Sequence, residues 1–134
     1  MVYAVSIIII YIMVQSIYTY LLNREEIRGT FSLDHFCVLI HIYFIVMIGF
    51  GLLYFLLSQK GIVLLDGRHL QDLPQLQRLG IAIYFSGVTL MTVGYGDITP
   101  IGIGKAIALI EAMIGYLLPA AFFVQVMKGV KGKS

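Results

Sequence analysis

The sequence predicts an all-α membrane protein, and three observations carry that expectation. Residues 1–22, 36–57 and 102–127 form long apolar runs in which charged side chains are absent or rare. Hydrophobic residues make up 60% of the 134-residue chain and charged ones 12%, about half the share usual in soluble domains. Between the last two runs lies a shorter apolar stretch, Leu79–Leu90, which leads into Thr92-Val93-Gly94-Tyr95-Gly96-Asp97. At about 1.5 Å per residue a helix over residues 1–22 crosses a hydrocarbon core of about 30 Å, whereas Leu79–Leu90 covers only about 18 Å.

The first run, 1–22, contains no charge, and Ile7–Ile10 is apolar all round, which favours a spanning helix over one lying on the surface. A cleaved leader is the other reading, but it lacks a basic start and a small-residue cleavage site. Tyr3 at one end and Tyr18 and Tyr20 at the other suit the two interfaces. A short polar connector follows over 23–35, with Arg24, Glu25, Glu26, Arg28 and Asp34; Ser32 or Asp34 is a candidate cap for the next helix. In the run 36–57 the only ionisable side chain besides Cys37 and the tyrosines is His41, read as a buried neutral histidine bonded to a neighbour, with a proton sensor as the alternative. Gly49 and Gly51 predict a place where another helix approaches closely.

Residues 58–78 are turn-rich, with Gly61, Asp66-Gly67 and Pro74, and Asp72 is a candidate cap with Pro74 in a first helical turn. After Pro100 the run 102–127 predicts a second long helix, with Lys105 and Lys128 placed to snorkel at its two ends. Pro119 predicts a bend, since it removes a hydrogen bond to the carbonyl of Gly115 and crowds that turn.

The balance of residues also excludes classes. A net charge of +2 points to no nucleic-acid partner, and Lys128, Lys131 and Lys133 are too few for a polybasic anchor. Cys37 is the only cysteine, so no intrachain disulfide forms; beside His35 and His41 it reads as a packed apolar group rather than a metal ligand. No Ser/His/Asp set, metal-ligand cluster or pair of carboxylates is evident, so neither an enzyme, a cofactor nor a small-molecule substrate is expected.

Gly94 and Gly96 form a G-x-G, but a phosphate loop needs a third glycine or a following lysine, and both are missing. Irregular backbone at membrane depth is tolerated only where protein buries it or where it lines a watery path. Glycine at alternate positions adopts positive φ at little steric cost, so successive carbonyls can face one side while Val93 and Tyr95 point away into the wall. One strand gives one edge of a tube. Several identical chains around an axis would stack oxygen rings able to replace the hydration shell of a hard cation.

The run Thr89-Leu90-Met91-Thr92-Val93-Gly94-Tyr95-Gly96-Asp97 closely resembles the filter signature by which potassium channel pores are known. The resemblance covers roughly residues 36–128, and it is to the two-transmembrane type of prokaryotic pore, here with an extra helix at 1–22. It implies an outer helix at 36–57, a turret at 58–78, a pore helix at 79–90, a filter at 92–96 and an inner helix at 102–127, with a tail at 129–134. It also implies a homotetramer, three identical subunits joining this one in a lipid bilayer, that passes potassium through a filter of Thr92, Val93, Gly94, Tyr95 and Gly96, with rings from Thr92, Val93, Gly94, Tyr95 and the Thr92 hydroxyl. An interfacial helix over Arg24–Phe31 is a family feature that the connector fits as well as a plain loop. The C-terminal end of the pore helix carries partial negative charge aimed at the pore centre, which favours a cation there.

Charge does not orient the chain. Arg24, Arg28, Lys128, Lys131 and Lys133 on one side stand against Lys60, Arg68, Arg78 and Lys105 on the other. The resemblance implies that the filter mouth is extracellular and that the connector and C-terminus are cytoplasmic, in a multi-pass protein of the cell membrane. The N-terminus is then outside. Gly115 matches the position of the family's inner-helix hinge, and with Pro119 it is either a moving gate or a fixed kink. No arginines recur at every third position, so a voltage sensor is not expected.

Several residues depart from the family. Met91 stands where a hydroxyl residue is common, Phe85 where a tryptophan is common, and Val88 where some relatives carry a glutamate facing Asp97. Filter support then falls to Tyr84, whose hydroxyl is within reach of Asp97, and to Thr89. Filter stability is put in doubt more than selectivity. A weakly selective cation channel and a regulatory subunit of a larger transporter are the competing functions.

Glu111 is the one acid within the apolar runs, a helical turn before Gly115 and on the same face. A charge at mid-depth is unfavourable by about 2.5–3.5 kcal/mol on insertion scales. It therefore keeps its proton, accepts hydrogen bonds from hydroxyls such as Thr89 or Ser86, or faces cavity water. Its role is a structural hydrogen bond or a charge that tunes potassium occupancy.

Overall fold

Helix α2 (Leu33–Gln59) is the spine on which the other elements pack. The computed structural model describes residues 2–22, 33–59, 65–66 and 72–131. The helices are α1 (Val2–Leu22), α2, α3 (Gln75–Leu90) and α4 (Gly104–Lys131), with two-residue strands β1 (Leu65–Asp66) and β2 (Thr99–Pro100). The predicted connector over 23–32, residues 60–64 and 67–71 of the turn-rich stretch, and the tail from 132 lie outside the described residues.

Spans Phe36–Gln59 and Gly104–Val124 are long and apolar enough to cross a bilayer. Helix α3 runs 16 residues, about 24 Å, and so stays short of a crossing. It begins at Gln75 rather than Leu79, because Gln75, Gln77 and Arg78 are good helix formers that extend the apolar run by a polar turn. Pro74 occupies the N-cap itself, in extended geometry (φ −55°, ψ 148°) with no side-chain cap bond. Its carbonyl accepts from the N–H groups of Gln77 and Arg78. Pro74 rather than Asp72 thus holds the N-cap position.

Buried α2 residues Leu39, Ile42, Val46, Phe50 and Leu53 recur every three or four positions and define its inner face. Against it lie Ala82, Phe85 and Leu90 of α3 and Ala108, Leu118 and Phe122 of α4. The α2–α3 crossing is close at Gly51, where an added Cβ would sit 2.8 Å from the Ile83 Cα. Tyr54 and Phe85 meet edge-on, with ring centroids 5.1 Å apart. Helix α1 packs along α2 with Ile9 turned to the core, and Ile7, Ile8, Ile10, Tyr11, Ile12, Val14 and Tyr18 are exposed.

Two expectations for α2 fail. His41 is exposed, with Nδ1 donating to the Cys37 carbonyl at 2.9 Å, one turn back on its own helix. Cys37 is exposed as well, so neither residue belongs to the packed face. Both lie off the Leu39–Ile42–Val46 stripe, on the side of α2 that faces away from α3.

Strands β1 and β2 pair antiparallel, Leu65 opposite Pro100 and Asp66 opposite Thr99. This ribbon fastens the segment before α3 to the segment after the glycine loop, so the loop is closed at its base. Pro100 has no N–H to give a ladder and fits only such an edge.

Candidate functional site

The site begins where α3 stops. Its last carbonyls are claimed by the chain that follows: Met91 N–H donates to Gly87, Thr92 N–H to Thr89 at 2.9 Å and Val93 N–H to Val88 at 3.0 Å. The last two bonds make a Schellman turn, which needs a left-handed residue at its fifth position. Thr92 fills that position at φ 56°, where glycine is usual. A β-branched residue there is strained by about 1–2 kcal/mol. The Thr92 hydroxyl donates to the Met91 carbonyl at 2.7 Å and offsets part of this.

Left-handed backbone then recurs at Gly94 (φ 58°) and Gly96 (φ 78°), while Val93 and Tyr95 keep negative φ. An added Cβ at either glycine would meet nothing within 4 Å, so the requirement there is conformational rather than steric. A strained non-glycine residue such as Thr92 is the kind of outlier found at functional sites. Val93 and Tyr95, expected to pack into a wall, are exposed, Tyr95 by 71%; nothing in one chain covers them. Beyond the loop, the Tyr84 hydroxyl donates to Asp97 Oδ2 at 2.9 Å and ties α3 to the loop's far end.

Behind the loop the interior is polar at one point. Glu111 of α4 is fully buried; Tyr54 of α2 donates to its Oε2 at 2.8 Å, and Ser86 of α3 bonds its Oε1. Ser86 Oγ also lies 2.8 Å from the Met47 carbonyl, as donor to it. One carboxyl thus joins three helices, in the low-dielectric interior where such bonds are strong. Of the two hydroxyls expected for Glu111, Ser86 is a partner, whereas Thr89 instead supplies a carbonyl to the Schellman turn. Tyr54 was not foreseen. The signal available was its hydroxyl, set in an otherwise apolar run.

Lower on the same face of α4, Gly115 lies against the end of α3. An added Cβ there would collide with the Leu90 carbonyl, so this contact requires glycine. Pro119 sits inside α4. The Gly115 carbonyl, which Pro119 cannot serve, accepts from the Tyr43 hydroxyl of α2 at 2.5 Å. Tyr43 is the second residue that sequence reasoning missed. Between the loop's base and this joint lies a cavity of about 400 Å³, bounded by Tyr43, Thr92 and Pro119 among others. Among the described residues no group of three or more His, Cys, Asp or Glu side chains could hold a metal ion.

Two membrane-length helices flanking a half-length helix, which ends in a strained glycine loop, define an all-α membrane protein of pore-forming type. The chain belongs to the ion channel family: the family model described as "Ion channel" matches residues 40–130, which take in most of α2, all of α3, the loop and nearly all of α4. It is similar to Protein LctB of Bacillus caldotenax, 39% identical over 98 residues that cover 72% of this chain and 73% of the relative. Protein LctB of Geobacillus stearothermophilus is 41% identical over 90 residues, covering 66% and 67%. No solved structure gives a significant match.

Proposed function

We propose that the chain is one subunit of a homotetrameric, potassium-selective channel whose conducting oxygens come from Thr92, Val93, Gly94 and Tyr95, with Gly96 closing the filter. The observation that carries the reading is the alternation of left-handed backbone at Thr92, Gly94 and Gly96 in a run of sequence Thr-Val-Gly-Tyr-Gly. That alternation lets successive carbonyls turn to one side, and four such edges complete a ring that replaces the ion's water. Potassium is the permeant ion; no cofactor is invoked. The exposed Val93 and Tyr95 side chains support assembly, since neighbouring α3 helices would cover them.

In this reading α2 is the outer helix, α3 the pore helix and α4 the inner helix, with the filter mouth outside the cell and the C-terminus in the cytoplasm. Helix α1 spans as well, its 21 residues giving about 31 Å. Tyr84 and Asp97 brace the outer end of the filter, and Thr89 its inner end through the carbonyl that accepts from Thr92. Gly115 and Pro119 form the joint of the inner helix, and Glu111 is its fixed anchor to the scaffold.

Purified protein in liposomes tests this directly. Potassium flux well above sodium flux, from a species that cross-links to tetramers, is the expected result. Equal sodium and potassium flux would make it a weakly selective cation channel. Cross-links that stop at dimers in active protein would remove the ring, and absence of flux would leave a regulatory subunit. An N-terminal tag reached only from the cytoplasm would remove the α1 span.

A further inference from the structure

Gly115 of α4 touches both neighbouring helices through its backbone. On one side its Cα faces the Leu90 carbonyl, two residues before Thr92. Its own carbonyl is the one that Pro119, lacking an N–H, leaves without the usual helical donor. A bare carbonyl away from water is unfavourable, and more so at membrane depth. Tyr43, half-buried on α2, supplies the missing hydrogen. The cavity between Tyr43, Thr92 and Pro119 leaves this joint room to move.

We propose that Tyr43 is a positioning residue for conduction: its hydroxyl latches the proline joint of α4 to the outer helix and so sets the α4 bend that bears on the base of the filter. The inference rests on the channel reading and deepens it. A tyrosine 49 residues before Thr92 in sequence thereby acts on the pore through one hydrogen bond. Making and breaking that bond accompanies the change of bend, with the freed carbonyl turning to cavity water when the latch is open.

Single-channel recordings from reconstituted full-length protein test it through a double-mutant cycle. Tyr43→Phe removes only the hydroxyl, and Pro119→Ala restores an N–H that serves the Gly115 carbonyl from within α4. The expected result is a change of about tenfold in the open-to-closed ratio for Tyr43→Phe, with unitary conductance and potassium preference unchanged. In the Pro119→Ala background the same substitution changes that ratio by less than about twofold. Equal changes in both backgrounds, or none in either, would overturn the latch. So would a Tyr43→Phe protein that fails to assemble and is not rescued by Pro119→Ala. Potassium flux from the wild-type protein is read in the same vesicles. Its absence would count against the channel reading itself, whereas failure of the latch would leave that flux intact.

Discussion

The two sides of the glycine loop differ in what one chain supplies. Behind it, Glu111, Ser86, Tyr54, Tyr43 and Gly115 are joined by hydrogen bonds and close backbone contact, and all of them are buried or half-buried. In front, Met91, Val93 and Tyr95 are exposed, and the backbone is left-handed at three alternate residues, with strain at Thr92. The difference teaches that one chain packs its own described scaffold but leaves the front of the loop uncovered, as the proposed tetramer requires. Damage behind the loop should therefore remove the fold, and damage in front should remove the function while sparing the fold.

The largest effect is expected from Gly115→Ala. The new methyl group has to displace the Leu90 carbonyl, which is backbone at the end of a helix and gives way poorly. Overpacking of this kind is destabilising by up to about 3 kcal/mol, and here it shifts the residues that open the filter. Loss of tetramers on size-exclusion chromatography, together with loss of flux, is the expected outcome. Normal assembly would show that α3 and α4 are less tightly apposed. Because of this clash, Gly115→Ala is a poor probe of a hinge, and the Tyr43 and Pro119 pair replaces it for that purpose.

Gly94→Ala should come next, and it should separate the two sides cleanly. No atom stands in the methyl group's way, so the strain is local to φ 58° and amounts to about 1–2 kcal/mol. Tetramers and their melting temperature should survive with a modest drop, while the preference for potassium over sodium is lost. Retained selectivity would mean that the left-handed turn at Gly94 is not what aims the filter carbonyls.

How much of this was legible in the sequence depends on the kind of signal. Helix existence was readable from the charge-free runs, and α3 from its shortness, because length against bilayer thickness is a strong constraint. Which face of a helix turns inward was not readable. Helices apolar all round carry no polar side to mark the outside, so the inward stripe through Leu39, Ile42 and Val46 was hidden, and His41 and Cys37 were placed on the wrong side. The start of α3 was missed because a polar first turn does not register as part of an apolar run.

The site shows the same division. Gly94 and Gly96 announced themselves, since glycines at alternate positions open a left-handed backbone that other residues rarely adopt. Glu111 stood out as a lone acid, and helical phase aimed it at α3, where Ser86 was one of two hydroxyl candidates alongside cavity water. Tyr43 and Tyr54 did not stand out, for a tyrosine in a membrane helix counts first as an aromatic. Only the fold reveals that each hydroxyl meets an oxygen in need of a hydrogen.

Tyr54→Phe tests the rear network by a smaller step. It removes one of the donors to Glu111 and keeps the edge-on ring contact with Phe85. Leaving a buried oxygen short of a donor is unfavourable by about 1–3 kcal/mol. A lower melting temperature of the tetramer in detergent, with unchanged ion selectivity, is expected. A selectivity change would place the network in the conduction path and blur the distinction between the two sides.

The smallest effect should come from Glu111→Gln, and it is the most discriminating. Two hydroxyl hydrogens, from Tyr54 and Ser86, serve three close oxygen contacts: Tyr54 with Glu111, Ser86 with Glu111, and Ser86 with the Met47 carbonyl. A glutamine fits that geometry, because its carbonyl oxygen accepts from Tyr54 while its amide donates to Ser86 Oγ. Ser86 is then free to give its own hydrogen to Met47, and every contact has a donor. The substitution therefore keeps shape and bonding and removes only the ability to carry charge. If Glu111 acts as scaffold, tetramer stability should change by less than about 0.5 kcal/mol, within the range of an innocuous substitution. Single-channel conductance and its dependence on pH should stay as they are. If instead Glu111→Gln lowers conductance or shifts its pH profile in intact tetramers, a charge behind the loop is felt by the ion in front of it. The rear network would then belong to the conducting site rather than to the frame that holds it.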